Sequence, residues 1–204
     1  MAIRAQFDIL TINMKSLQMS RPYLLLAIGI PGAGKSTFAA KFAQTFNTPF
    51  IDYSEIADMV GDEKVFPKVT KYVVNQLLLT KQTIVFDGFG DKVSDRRQFA
   101  EMAHKHGYTP LIIWVQTEPS TAELRVAKGK GAKMSVEQFD KGVLGFQNPT
   151  KSEPVLVISG KHTYASQARA VLKRLASDRP SPEDGKRIAT PPPRPTNIRG
   201  RFIS

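Results

Sequence analysis

The sequence predicts an α/β sandwich of three layers, with a mostly parallel sheet of about five strands between helices, and three observations carry that prediction. Short apolar runs alternate with longer helix-like segments through the middle of the chain. A glycine-rich loop carrying a lysine joins the first apolar run to the first helical segment. Finally, 204 residues suffice for one compact domain with flanks, but not for two ordinary domains.

The first strand is expected over 23–28, where Tyr-Leu-Leu-Leu-Ala-Ile is continuously apolar, as in a strand buried on both faces. A helix over 35–46 follows the glycine-rich loop. Further strands are expected at 49–52, 83–87, 110–115 and 155–158, and the stretches 65–81, 94–106 and 119–128 read as the helices between them. Ser94 precedes a segment in which Phe99, Met102 and Ala103 share a face, and Gly107 stands where a helix-ending glycine belongs. A helix over 163–175 closes the series. This spacing reads as repeated βαβ units with right-handed crossovers, which gather ligand-binding groups at the carboxyl ends of the strands.

The composition divides the chain into three regions: an N-terminal extension over 1–22, a domain over 23–176 and a tail over 177–204. The extension carries Arg4, Lys15 and Arg21 against Asp8. In the tail, Pro180, Pro182, Pro191, Pro192, Pro193 and Pro195 favour extended backbone over helix or sheet. Its arginines allow a docking peptide through Pro192, Arg194 and Pro195, or a basic arm for nucleic acid, besides a plain solubilising extension.

With 29 Lys and Arg against 18 Asp and Glu, a net of +11, the surface should attract polyanions. The absence of cysteine excludes disulfide frameworks, Cys-based zinc sites, iron–sulfur clusters and thiol nucleophiles. The longest apolar stretch, 23–30, is far short of the roughly 18 residues a spanning helix needs, so no membrane role is expected. Arg4, Asp8 and Lys15 interrupt any secretory signal, and the cytoplasm is the expected compartment.

Residues Gly29, Ile30, Pro31, Gly32, Ala33, Gly34, Lys35 and Ser36 form a complete G-x-x-x-x-G-K-S between strand and helix, the context a phosphate-binding P-loop requires. Glycines let successive N–H groups, through Thr37, curl around a phosphate chain at the positive end of a helix. Lys35 then reaches the terminal phosphates and Ser36 ligates Mg²⁺. Thr83 to Asp87 adds an apolar strand ending in a carboxylate that can hold Mg²⁺ or its water. ATP and Mg²⁺ are therefore the expected ligands. Asp87-Gly88-Phe89-Gly90 also fits the D-x-x-G of a GTPase, but no N-K-x-D guanine-reading motif comes after it.

Beyond Asp87 the chain runs through Arg96-Arg97, a helix to Gly107-Tyr108, an apolar run over 111–115, Pro119 and Leu124-Arg125. Then come Met134-Ser135-Val136-Glu137-Gln138-Phe139, Phe146-Gln147-Asn148-Pro149 and Glu153. Over about residues 23–176 this order resembles the small P-loop kinases related to bacteriophage polynucleotide kinase and zeta toxins, the AAA_33-type family. The resemblance implies transfer of the ATP γ-phosphoryl group to a hydroxyl of a small molecule, sugar or nucleic-acid end. It also implies a basic lid, to which Arg125, Lys128, Lys130 and Lys133 correspond, interleaved with Gly129 and Gly131. Arg125 is the strongest of these, because lysine lacks the forked donors of arginine. Arg96 and Arg97 read either as further cleft cations or as solvated helix positions.

Related kinases carry S-x-D-E-I-R after the second strand, the Asp serving as base and the Arg gripping the acceptor. Here the segment runs Asp52-Tyr53-Ser54-Glu55-Ile56-Ala57, which puts Ser54 and Ala57 at those two positions. A displaced carboxylate can stand in, Asp52 from two residues earlier or Glu55 from one residue later; Asp52 is the expected base, its alternative role being to cap the next helix. Lys35, Asp52, Asp87 and Arg125 are thus the expected catalytic residues. Tyr53 and Phe89 either line an acceptor pocket or cover the sheet edge. Trp114 reads as core, and His104 and His106 diverge too far to share a metal. A second reading is a nucleotide-binding, weakly catalytic module docked to nucleic acid or protein through its basic flanks.

Overall fold

The structure, a computed structural model, describes residues 21–129 and 134–177. The expectations for the tail, for Lys130, Gly131 and Lys133, and for all but two residues of the N-terminal extension lie outside the described residues.

Five strands form one sheet: β1 (Tyr23–Ile28), β2 (Phe50–Asp52), β3 (Ile84–Asp87), β4 (Thr109–Gln116) and β5 (Val155–Ser159). Their spatial order is β2-β3-β1-β4-β5 and every pairing is parallel. β1 lies in the centre, with Leu25 opposite Val85 on one side and Leu111 on the other. All six of its residues are buried, which explains its unbroken apolar run.

Among the described residues there are seven helices: α1 (Lys35–Phe46), α2 (Tyr53–Val60), α3 (Phe66–Leu79), α4 (Val93–Lys105), α5 (Pro119–Ala127), α6 (Val136–Gly145) and α7 (Tyr164–Ser177). Alternate residues of β1 feed two separate cores. Tyr23, Leu25 and Ala27 pack with Phe38 and Phe42 of α1 and Val171 and Leu175 of α7. Leu24, Leu26 and Ile28 pack with Val74 and Leu78 of α3 and Phe99 and Ala103 of α4. This is the expected three-layer sandwich, with a sheet that is wholly parallel.

All five predicted strands are present, and the predicted helices recur within two residues at nearly every end. α3 stops at Leu79 rather than 81, because Lys81 adopts a left-handed φ of 55° that a helix cannot continue. Two helices, α2 and α6, were not expected. Both are short, and they pack on the domain through partly buried side chains such as Tyr53 and Ile56 of α2: α2 buries no residue fully and α6 buries only Phe139. α6 is instead fixed at its start by a capping box between Ser135 and Gln138. It also rests on the P-loop: a side chain at Gly142 would meet Pro31 Cγ at 2.5 Å.

Candidate active site

Because β2, β3 and β1 are neighbours, their carboxyl ends bring Asp52, Asp87 and the P-loop side by side, with Asp52 in register with Asp87. Inside the loop, Ala33 N donates to Ile30 O at 3.1 Å. Gly32 takes a φ of 74°, and a Cβ there would collide with Ala122 O of α5, so only glycine fits. Gly34 caps α1 with a φ of 100° and no side-chain hydrogen bond. The first-turn N–H groups of α1 thus face the cleft without a protein cap, at the positive end of the helix dipole. Together with the side chains of Lys35, Ser36 and Thr37 they border a cavity of about 530 Å³ that extends along α1 to Lys41 and Tyr164.

Asp87 ends β3 with only 1% of its surface exposed, and its Oδ1 has no hydrogen-bond partner. Burial pushes its carboxyl above the ordinary value; the Ser36 hydroxyl bond, the Lys35 charge and the Gly88 backbone bond oppose that shift, and the Asp52 charge adds to it. A hydroxyl beside a buried carboxylate oxygen without a donor is a set of hard oxygen ligands that suits Mg²⁺. Ser36 and Asp87 would hold the ion.

Arg125 borders the same cavity as the P-loop, with its guanidinium held by backbone carbonyls. Its Nη1 donates to Ala33 O at 3.2 Å and Gly32 O at 3.5 Å, while Nη2 donates to Gly160 O at 2.8 Å. The guanidinium therefore braces the P-loop against the loop after β5, because three carbonyls converge on its fork. Lys128 is exposed at the end of α5.

Asp52 is the N-cap of α2, its Oδ1 accepting from Ser54 N at 2.9 Å and Glu55 N at 3.2 Å. Both hydrogen bonds use one oxygen. Next to it, Tyr53 lies 4.4 Å from Phe89 between ring centroids and meets Phe66 edge-on at 6.2 Å. Burial pushes its phenol up to about 12, so it stays neutral.

Arg96 is neither a cleft cation nor solvated. Its side chain is fully buried, with Nε 2.6 Å from Glu153 Oε2 and Nη1 donating to Gly90 O at 2.9 Å. Gln147 N donates to Asp91 O at 2.8 Å and Val93 N to Gln147 Oε1 at 2.9 Å. The pair and these bonds fasten the loop after Asp87 to the segment after α6. Arg97 is solvated. Trp114 is half-buried, 6.2 Å from Phe146, and no group of three His, Asp or Glu among the described residues could share a metal.

Sequence reasoning missed the floor of the cavity beyond the P-loop, where Gly160, His162 and Gln167 contribute. Gln167 Nε2 donates to Ser159 O at 2.8 Å and shapes that loop. A single glycine after an apolar strand was its one visible signal.

No helix among the described residues is long and apolar enough to cross a membrane. No curated protein matches the chain significantly. Solved structures share its fold. A gluconokinase from Sinorhizobium meliloti 1021 superposes with a TM-score of 0.58 at 18% identity, over 76% of this chain and 93% of that one. A sugar kinase from Janibacter sp. HTCC2649 gives 0.59 at 15% identity, over 76% and 95% respectively. The APS kinase CysC of Mycobacterium tuberculosis, solved with AMPPNP and APS, gives 0.60 at 15% identity, over 77% and 98%. The AAA_33 family, described as an AAA domain, matches residues 24–149. Since that match spans more than half of the chain and its fold is the one these P-loop kinases share, the protein belongs to the AAA_33 family.

Proposed function

We propose that the protein is a cytoplasmic P-loop phosphotransferase that moves the γ-phosphoryl group of ATP to a hydroxyl of a small molecule, sugar or nucleic-acid end. The observation that carries this reading is the unpartnered Oδ1 of buried Asp87, set beside Ser36 and Lys35 at the mouth of an uncapped helix. Kinases of sugars and of APS sharing the fold support it.

Lys35 and the first-turn N–H groups of α1 would bind and orient the phosphates, neutralising charge that spreads over the transferring group. Magnesium, when bound, draws further charge from the phosphate oxygens. Asp52 would accept the proton of the acceptor hydroxyl through Oδ2, the oxygen its helix cap leaves free. The hydroxyl oxygen bonds to the γ-phosphorus as the bond to the β-phosphate oxygen breaks, and ADP departs with that electron pair. Arg125 would act as a positioning residue, holding the P-loop in shape.

A second reading, the weakly catalytic nucleotide-binding module, draws on Ser54 and Ala57 at the positions of the usual base and arginine. In that reading the basic tail docks to a nucleic acid or protein. Labelled phosphate transfer to nucleosides, sugars and 5′-hydroxyl oligonucleotides separates the two. Acceptor-stimulated loss of ATP, abolished by Lys35→Ala, is expected; ATP binding without transfer to any acceptor favours the module.

A further inference from the structure

We propose that a second ligand site lies between α3 and α4 and takes a small amphipathic organic anion, an aromatic body carrying one acidic group. A cavity of about 450 Å³ opens there, within the range of roughly 300–1,000 Å³ that holds small organic ligands. It shares no lining residue with the nucleotide cavity.

Its walls are apolar: Tyr53, Phe66, Val74 and Met102. Asn75 lines the cavity from an exposed position, and one buried polar group interrupts the apolar walls. Thr70 is 4% exposed and lines the cavity, yet its hydroxyl has no partner. A helical threonine normally gives that hydroxyl to a carbonyl one turn back, and rotation about χ1 exchanges hydroxyl and methyl between two favoured positions. Turning it towards an occupant would satisfy a donor that the fold leaves unmet.

The rim is cationic. Lys71 and Lys105 line the opening and are exposed, and no Asp or Glu lines it. Neither lysine forms an ion pair among the described residues. His106 also lines the cavity; its Nδ1–H donates to Met102 O at 2.9 Å, which leaves Nε2 as an acceptor for a donor on the occupant's body and not for its anionic group. Apolar walls select an aromatic body, the rim selects its negative group, and Thr70 supplies a fixed hydrogen bond between them. Tyr53, which follows Asp52, forms part of the wall and packs on Phe89.

The test is a fluorescence titration of the full chain with 8-anilinonaphthalene-1-sulfonate, with saturating MgATP present to fill the nucleotide site. Saturable binding of one probe per chain is expected, unchanged by MgATP. The double variant Lys71→Gln, Lys105→Gln should weaken it about tenfold, as expected for two partly screened charge contacts. Met102→Trp, which fills the cavity, should abolish it. The uncharged analogue N-phenyl-1-naphthylamine should bind more weakly and ignore the lysine substitutions. Displacement by MgATP, or wild-type affinity in the lysine variant, would overturn the proposal. Should Met102→Trp fail to fold, the lysine variant and the uncharged probe decide alone.

Discussion

Asp87→Asn should make the unliganded protein more stable while emptying it of function. Asp87 is 1% exposed, its Oδ1 lacks a donor, and burial raises its pKa even against the help of Ser36 and Lys35. An unsatisfied buried group costs about 1–3 kcal/mol, so removing the charge should return about 1–2 kcal/mol, the amide keeping part of the cost. At about 2–4 °C per kcal/mol for a domain of this size, Tm should rise by about 2–8 °C. Melting the wild type and variant with and without MgATP reads both effects. The wild type should gain about 2.7 kcal/mol at a hundredfold excess of ligand over Kd, and the variant should lose most of that gain. The pH dependence has a defined sign. A raised acid pKa contributes stability below the ordinary value of 3.8 and loses it as pH rises through the folded value. The gap between variant and wild type should therefore be widest near neutrality and close on acidification. A variant that melts below the wild type at neutral pH without nucleotide would refute the reasoning.

Other expectations concern the neighbouring groups. Arg96→Met leaves Glu153 without its buried partner and should cost about 3–5 kcal/mol in thermal unfolding. Burial would raise the Glu153 carboxyl, but the bonds from Arg96 and Thr150 outweigh it and hold it below 4.5. Its contribution is thus present above that value and lost as pH falls through the lowered folded one, a dependence that the double variant Arg96→Met, Glu153→Gln should lack. Asp52→Asn preserves a good helix cap, so stability in thermal unfolding should hold within about 0.5 kcal/mol. Phosphoryl transfer should nonetheless fall by about 100-fold or more if Asp52 is the base, and wild-type transfer would remove it from the mechanism.

The strands were legible because a central parallel sheet demands apolar side chains on both faces, and β1 announces that demand in six consecutive residues. The P-loop was legible because its chemistry fixes both residue type and spacing. α2 and α6 were not, since at eight and ten residues each spans only about two to three turns, too short for its apolar face to stand out from a loop. The sequence pointed to Arg125 as a lid cation and left Arg96 between cleft and solvent, but the contacts of both depend on acceptors distant in sequence. Gly160 lies 35 residues from Arg125, and Glu153 lies 57 from Arg96. No local pattern encodes where such a fork will find its acceptors. For Asp52 the structure shows the helix cap, and because that cap uses a single oxygen the proposed role as base is compatible with it.

The central position of β1 has a consequence for biosynthesis. Its partners arrive late: Leu24 pairs with Ile84 and with Pro110, and the Tyr23 amide waits for the Thr83 hydroxyl, 60 residues away. At roughly 5–20 residues per second, a ribosome has emitted the whole phosphate loop seconds before β3 and β4 exist to hold it. The nascent chain thus carries a highly apolar strand without neighbours for that interval, exposed to aggregation and to chaperones. Nucleotide cannot stabilise the growing chain until more than half of it has been made, so ATP protects the finished domain and not its assembly.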